Sequence, residues 1–400
     1  MPASLKNDCP VCGNLDVEAF LKIPQVPVYC NVLWPSKAEA VDAPKGDLDL
    51  AYCGKCGHVF NRAFDPGLME YTGNYENSLH FSARFQEFAE ALVAGLTERY
   101  DLRDKDIVEI ACGKGDFLRM LCEGGKNRGV GFDPSYEPDR EVDTAAQGFE
   151  VVCDYYSEKY ASQKADFICC RHALEHIQDA AAFMKSIRAS VGDRDTAVYF
   201  EVPNVLYSLK DLGIWDFIYE HTSYFSDASL ARCFQEAGFA VERCEEAFGG
   251  QYLGIEARPG DQSSDADAER LAEIEGYVHA IPGDFAEKSS LWQKKLGELE
   301  LAGGKAAIWG GGSKGATFLN LMAARTRVVP CVVDINPHKQ GKFVPGTGQV
   351  VISPCQLADY DVDLIIVMNP LYLEEIGKQV AELGISAEIL AEGQITAAGS

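Results

Sequence analysis

No stretch of the 400 residues approaches the roughly 20 consecutive apolar residues that a membrane-spanning helix needs. That excludes a helical integral membrane protein. The opening residues, Met1 to Lys6, lack the apolar core of a secretory signal, so a cytoplasmic address is expected. Basic residues are scarce: 36 Lys and Arg stand against 61 Asp and Glu, a formal net charge of −25. A field of that sign repels phosphate backbones and anionic lipid, so neither nucleic acid nor a membrane surface is expected as a partner. An anionic small molecule remains admissible, because helix N-termini and a few local cations hold it regardless of net charge. Short repeats and low-complexity tracts are absent as well.

What is present has the balance of a globular protein, 47% hydrophobic and 24% charged, and is too long for one ordinary core. Two or three domains are expected. Of 14 cysteines, four fall in two Cys-x-x-Cys pairs. The others are mostly scattered singly through apolar segments, like Cys169 and Cys170 in Phe-Ile-Cys-Cys, and read as small hydrophobes in a reducing compartment. Punctuation divides the chain into three α/β-rich regions: 1–75, rich in Cys, Pro and Gly; 76–260, where strand-like runs alternate with helical patterns; and 261–400, where a helix over 265–300 precedes a second strand–helix series.

The strongest local signal is the pair Cys9-Pro-Val-Cys12-Gly and Cys53-Gly-Lys-Cys56-Gly. Each Cys-x-x-Cys turn places two sulfurs on one side of a tight loop, and two such knuckles complete a closed tetrahedral set suited to structural Zn²⁺. His58 is read as a bystander.

The middle region opens Ile107-Val-Glu109-Ile-Ala111-Cys-Gly113-Lys-Gly115, an apolar strand ending in an acid and running into a glycine turn. Gly129-Val-Gly-Phe-Asp133 ends a second strand in an acid placed to reach ribose hydroxyls. Asp154 and Tyr155 at a third strand end suit an adenine amino group and ring face. Arg171 and His172, at a fourth, stand beside Glu175 and His176. The runs 239–246 and 251–258, joined by Gly249-Gly250, read as a closing hairpin that supplies a last antiparallel strand.

On these residues the chain resembles the class I S-adenosylmethionine (SAM)-dependent methyltransferases, with Ala111 where the first glycine of their motif is usual. The cofactor is then SAM, held by Glu109, Ala111, Gly113, Gly115, Asp133, Asp154, Tyr155 and Arg171. The whole chain resembles the three-domain, zinc-containing sugar C-methyltransferases, through the Cys-x-x-Cys pairs, Tyr71-Thr-Gly-Asn-Tyr75, Leu174-Glu-His176-Ile, and Ile218-Tyr219-Glu220-His221-Thr-Ser-Tyr-Phe-Ser. The resemblance implies an N-terminal zinc module, a Rossmann-like methyltransferase domain and a C-terminal Rossmann-like domain. It implies a nucleotide-linked keto-sugar as substrate, with Tyr71 and Tyr75 lining its pocket. It also implies catalytic roles for His176, Tyr219, Glu220 and His221, with His221 as the base. Forming a carbon–carbon bond with SAM requires a carbanion, which forms beside a carbonyl; a neutral histidine removes the α-proton and hydroxyl or imidazole donors hold the enolate oxygen. Two departures are specific to this chain. One residue fewer separates Tyr219 from Glu220-His221 than in the sugar enzymes, and His172 stands where those have an amide.

The C-terminal region carries Gly310-Gly-Gly312-Ser-Lys314-Gly315-Ala, of the form Gly-x-Gly-x-x-Gly, with Asp334 ending the next strand. Such a turn binds a nicotinamide dinucleotide or cradles the diphosphate of a nucleotide-sugar, with Lys314 adding charge. The alternatives to sugar C-methylation are therefore an O- or N-methyltransferase of another small metabolite, and an NAD-dependent oxidoreductase using this turn.

Overall fold

The computed structural model describes residues 5–69, 80–136, 148–262 and 267–395. Three sheets organise them. The first is antiparallel: β1 (Glu18–Pro27), β2 (Lys45–Cys53) and β3 (His58–Asn61), with a fourth, two-residue strand, Ser223–Tyr224, supplied from far along the chain. The knuckles flank this sheet, one before β1 and the other in the β2–β3 turn. Gly13 and Gly57, which follow the two knuckles, have φ of +67° and +74°, a left-handed conformation that glycine adopts without steric cost.

The second sheet comprises β4 (Asp106–Ile110), β5 (Arg128–Phe132), β6 (Phe149–Val152), β7 (Phe167–Arg171), β8 (Ala197–Pro203), β10 (Phe239–Ala247) and β11 (Tyr252–Pro259), the label β9 belonging to Ser223–Tyr224. Its order is β10-β11-β8-β7-β4-β5-β6, and all pairings are parallel except those of β11. The expected hairpin is therefore present and supplies the antiparallel strand. Strand β7 is buried at every position because helices cover both faces of the sheet, which explains its unbroken Phe-Ile-Cys-Cys run. Strand β10 lies at the sheet edge, and Glu242, Arg243, Glu245 and Glu246 along it keep that edge from pairing with another chain.

The third sheet is wholly parallel, in the order β14-β13-β12-β15-β16: β12 (Ala306–Trp309), β13 (Cys331–Val333), β14 (Val350–Ile352), β15 (Leu364–Val367) and β16 (Glu388–Ala391). A long helix, Ala268–Leu301, leads into it. Among the described residues no helix is long and apolar enough to cross a membrane.

The three parts share cores rather than merely touching. Leu48 and Leu50 of β2, Trp215 and Ile218 of the middle region, and Ile308 and Phe318 of the C-terminal region belong to one continuous apolar cluster. Trp34 and Phe343 exchange two backbone hydrogen bonds, 3.0 and 2.8 Å, between the first and third parts.

Glu109 is the polar exception in the middle core. It is almost fully buried on β4, and burial pushes its carboxyl up to about 8 against the pull of the Arg171 guanidinium. A carboxyl raised in the folded state contributes its full share of stability below its ordinary pKa, and that share is lost as pH rises through the raised value. Glu109→Gln cannot ionise, so between pH 5 and 8 the ligand-free variant should gain on the wild type by about 3 kcal/mol, following from a shift of that size. Urea midpoints measured across that window check this; parallel pH curves for the two proteins would contradict it.

Candidate active site

The carboxyl ends of parallel strands are where α/β sheets bind ligands. At the end of β4 the turn Ala111 to Gly115 leads into the helix Asp116–Gly125. Ala111 takes φ of +56°, so the alanine that replaces the usual glycine holds the turn against a strain of roughly 1–2 kcal/mol. Asp133 pins the turn: its Oδ2 accepts the Gly113 N–H at 2.8 Å, and its Oδ1 accepts the Ser135 N–H at 2.8 Å and hydroxyl at 2.6 Å. A carboxylate offers about four acceptor positions, so one remains for a ligand hydroxyl. Asp154 lies beyond the next strand, its carboxylate held low, to about 2, by the Tyr160 hydroxyl and Lys159. The neighbouring Tyr155 ring is exposed.

Arg171 departs from its expected cofactor role. Its guanidinium turns into the protein, bonded to Glu201 Oε1 at 2.7 and 3.0 Å and lying over the Phe117 ring. Burial alone would raise the Glu201 carboxyl, but Arg171 and His172 outweigh it and hold it at about 2.

A cavity of about 280 Å³ lies between the second and third sheets. One wall carries His172, Glu175, His176 and His221. His172 and His176 do not share a helix: His172 has a left-handed backbone, φ +53°, and His176 ends a single 3₁₀ turn, Leu174–His176. The His176 and His221 rings meet edge to face at 5.0 Å. His176 Nδ1 lies 2.9 Å from the Glu220 carbonyl, which can only accept; that nitrogen therefore carries the proton, and Nε2 is left as a lone pair. Burial lowers the His176 pKa to about 4 and pushes that of His221 well below the ordinary imidazole range, so both rings are neutral. Glu175 is pushed up to about 8, also by burial.

His221 is not needed as a helix cap, because Ser226 caps the following helix, Asp227–Glu236, in a capping box. Tyr219 is a correction. Its ring stacks on Phe64 at 5.4 Å and its hydroxyl accepts the Asp65 N–H at 2.8 Å, so it faces the first sheet and not the cavity. Glu220 is fully buried: its Oε2 accepts the Cys30 N–H at 3.0 Å, and its carbonyl lies 2.9 Å from His176 Nδ1. Tyr71 and Tyr75 lie outside the described residues.

The opposite wall is the glycine turn after β12. Gly315 has no room for a side chain, since a Cβ there would stand 2.1 Å from the Gly310 carbonyl oxygen; this is close helix–strand packing. Asp334 repeats the arrangement of Asp133: Oδ2 accepts the Gly311 N–H and Oδ1 the Asn336 N–H, both at 2.8 Å. Lys314 lines the cavity, but its ammonium joins the two domains, 3.1 Å from Asp216 and 2.8 Å from Gln251. A second cation, Lys339, also lines the cavity, 3.6 Å from Asp334. Sequence reasoning missed it, although a basic residue shortly after a second Rossmann strand is a common phosphate contact.

At the other end of the first sheet, Cys9, Cys12, Cys53 and Cys56 bring their sulfurs within 4.8 Å of one another. The Cys9–Cys56 and Cys12–Cys53 separations, 3.6 and 3.7 Å, approach the edge of a tetrahedron with arms of about 2.3 Å, roughly 3.8 Å. This donor set fits a metal ion. His58 is outside it, its Nε2 lying 3.2 Å from the Ser223 hydroxyl.

Comparison with known proteins adds the family. Residues 82–243 match the family described as methyltransferase domain, and residues 273–387 match the C-methyltransferase C-terminal domain. Over 391 residues the chain is 26% identical to the C-methyltransferase NovU of Streptomyces niveus, covering 92% of this chain and 91% of that protein. Among solved structures, the 1,6-didemethyltoxoflavin-N1-methyltransferase of Burkholderia thailandensis is 16% identical, with 44% of this chain and 80% of that one covered and a TM-score of 0.35. Magnesium protoporphyrin IX methyltransferase from Synechocystis PCC 6803 is 17% identical, with 46% and 89% covered and a TM-score of 0.36. The chain thus carries a methyltransferase domain followed by a C-methyltransferase C-terminal domain, the organisation of a SAM-dependent methyltransferase.

Proposed function

We propose that this enzyme transfers the SAM methyl group to a carbon beside the ketone of a nucleotide-linked sugar, with His221 as the base. The observation that carries this reading is the two-sided cavity: neutral histidines on one wall, a glycine turn with Lys314 and Lys339 on the other. A neutral imidazole is the form that accepts a proton from carbon. Backbone N–H groups at a helix start, with cations beside them, suit a diphosphate. Because the turn opens into the histidine cavity, its anion is read as part of the methyl acceptor and not as a separate redox cofactor. The similarity to a C-methyltransferase over most of the chain agrees with carbon as the target.

SAM lies across Glu109 to Gly115 in this reading, with Asp133 on the ribose and Asp154 and Tyr155 at the adenine. When bound, the cofactor supplies an electrophilic methyl group. The chain's own residues position the acceptor, take its α-proton and exclude water. The four cysteines hold structural Zn²⁺ as thiolates, a closed set with no position left for a substrate.

Three outcomes are expected. Cys53→Ser should lower the melting temperature by about 10 °C, since structural zinc binding is coupled to folding. Metal analysis of the purified wild type should find one zinc per chain, and its absence removes the zinc reading. Asp133→Ala should weaken SAM binding by about 1.5–3 kcal/mol, the range for hydrogen bonds to charged groups. Unchanged affinity by calorimetry places the cofactor elsewhere. His221→Asn should reduce both methylation and solvent-deuterium exchange into a keto-sugar, measured with the demethylated cofactor present, by about 100- to 10,000-fold. Full activity in that variant refutes the base assignment, and a methyl found on oxygen by mass spectrometry shifts the reading to an O-methyltransferase.

A further inference from the structure

Among the described residues two groups of side chains have the donors and the spacing to hold a metal ion, and the cysteine knuckles are only one of them. The other is Glu175, His176 and His221, on the histidine wall of the cavity. One oxygen of Glu175 and one ring nitrogen of each histidine lie within 4.8 Å of one another. Glu175 Oε1 stands 3.9 Å from His176 Nε2. Ligands on a tetrahedral Zn²⁺ with arms of about 2.0–2.1 Å are roughly 3.4 Å apart. This pair therefore closes on an ion by about half an ångström, and the widest pair by at most about 1.4 Å, within the reach of side-chain rotation.

Three further observations point to a ligand. Glu175 is 2% exposed and its Oε2 is buried without a hydrogen-bond partner, and the same holds for Nδ1 of His221, a residue 9% exposed. Unpaired polar atoms are rare in a folded interior, and a bound ion is one of the few things that accounts for them. His176 has the arrangement of a metal-bound histidine: its Nδ1–H goes to the Glu220 carbonyl at 2.9 Å, which fixes the tautomer and places the lone pair on Nε2. Thr222 then joins the two segments that carry the three side chains. Its N–H donates to the Glu175 carbonyl at 2.9 Å and its hydroxyl to the Ile177 carbonyl at 3.1 Å. The backbone that presents the donors is set before any ion arrives, which lowers the ordering cost of binding one.

We propose that Glu175, His176 and His221 form a second metal site, for a first-row divalent ion such as Zn²⁺, and that an ion bound there inhibits the enzyme by occupying its base. Two imidazoles and a carboxylate suit such ions, and three protein ligands leave the fourth position to water or to the acceptor. The two sites differ in kind: four thiolates make a closed set, and this one stays open. The inhibition rests on the C-methylation reading above, whereas the site itself does not. A neutral imidazole has a single lone pair, so an ion on His221 and a proton taken from carbon exclude each other.

The test uses the full chain with its cysteine-bound ion in place. Equilibrium dialysis against Zn²⁺ should add a second equivalent of metal to the wild type. Co²⁺ added to the zinc-loaded protein should give visible d–d bands without a thiolate charge-transfer band, which puts the new ion on nitrogen and oxygen. Glu175→Gln and His176→Gln should each lose the second equivalent and keep the first, and the retained equivalent shows that the variant is folded. Saturating Zn²⁺ should slow solvent-deuterium exchange into dTDP-4-keto-6-deoxyglucose, followed by mass spectrometry with the demethylated cofactor present, by about 100-fold or more, the loss of a general base. Uptake of a single equivalent by the wild type, or a second equivalent that survives in both variants, overturns the site. A second ion that leaves exchange unchanged or speeds it overturns the inhibition. No exchange by the wild type without added metal falls on the C-methylation reading, and the inhibition goes with it, while dialysis and the Co²⁺ spectrum still decide the site.

Discussion

Two residues of extended chain, Ser223 and Tyr224, hold the histidine wall of the cavity in place. They pair with Phe60 and Val59 of β3, and the Asn61 N–H continues the ladder to the Thr222 carbonyl at 3.0 Å. Below them Ser226 donates to the Gly57 carbonyl, the residue that closes the second knuckle. On the other side Thr222 donates through both N–H and hydroxyl to the segment carrying Glu175 and His176. The loop that presents His221 is therefore a strand of the cysteine-bearing sheet as much as a loop of the methyltransferase domain. A two-residue strand has little stability of its own, and its position depends on β3, whose turn from β2 is made by Cys53 and Cys56. The cysteine cluster, far away in sequence, is in this way coupled to the position of His221.

Desolvation then sorts the histidines. His176 and His221 are buried in one wall of the cavity, and burial disfavours their charged form. Glu175, the acid beside them, is pushed toward its neutral form by the same burial. His172 stands only a few residues away but against Glu201, whose charge is fixed by Arg171.

Much of this was legible in the sequence because it is local. The knuckles, the glycine turns, the acids at strand ends and the Gly249-Gly250 hairpin are each written within about ten residues, and their backbone consequences follow from spacing. Tyr219 shows where that stops. Its motif is contiguous with His221, but which side of the loop it occupies depends on Phe64 and Asp65, more than 150 positions earlier in the chain. Arg171 fails for the same reason, since its partner Glu201 lies on the adjacent strand and looks in sequence like any strand-borne acid.

The two glycine turns give the molecule a further regularity. In each, an acid at the end of the second strand accepts a turn N–H with one oxygen and the N–H two residues beyond itself with the other: Asp133 with Gly113 and Ser135, Asp334 with Gly311 and Asn336. The bond to the turn fixes its backbone before any ligand arrives, which lowers the ordering cost of binding. Yet the turns differ in the charge around them. The third sheet's turn has Lys314 and Lys339 at the cavity, and Lys314 is also tied across the domain boundary to Asp216 and Gln251. An anion arriving there competes with Asp216 for the same ammonium. In the reading proposed above, acceptor binding and the tie between the third sheet and the second are consequently linked through Lys314.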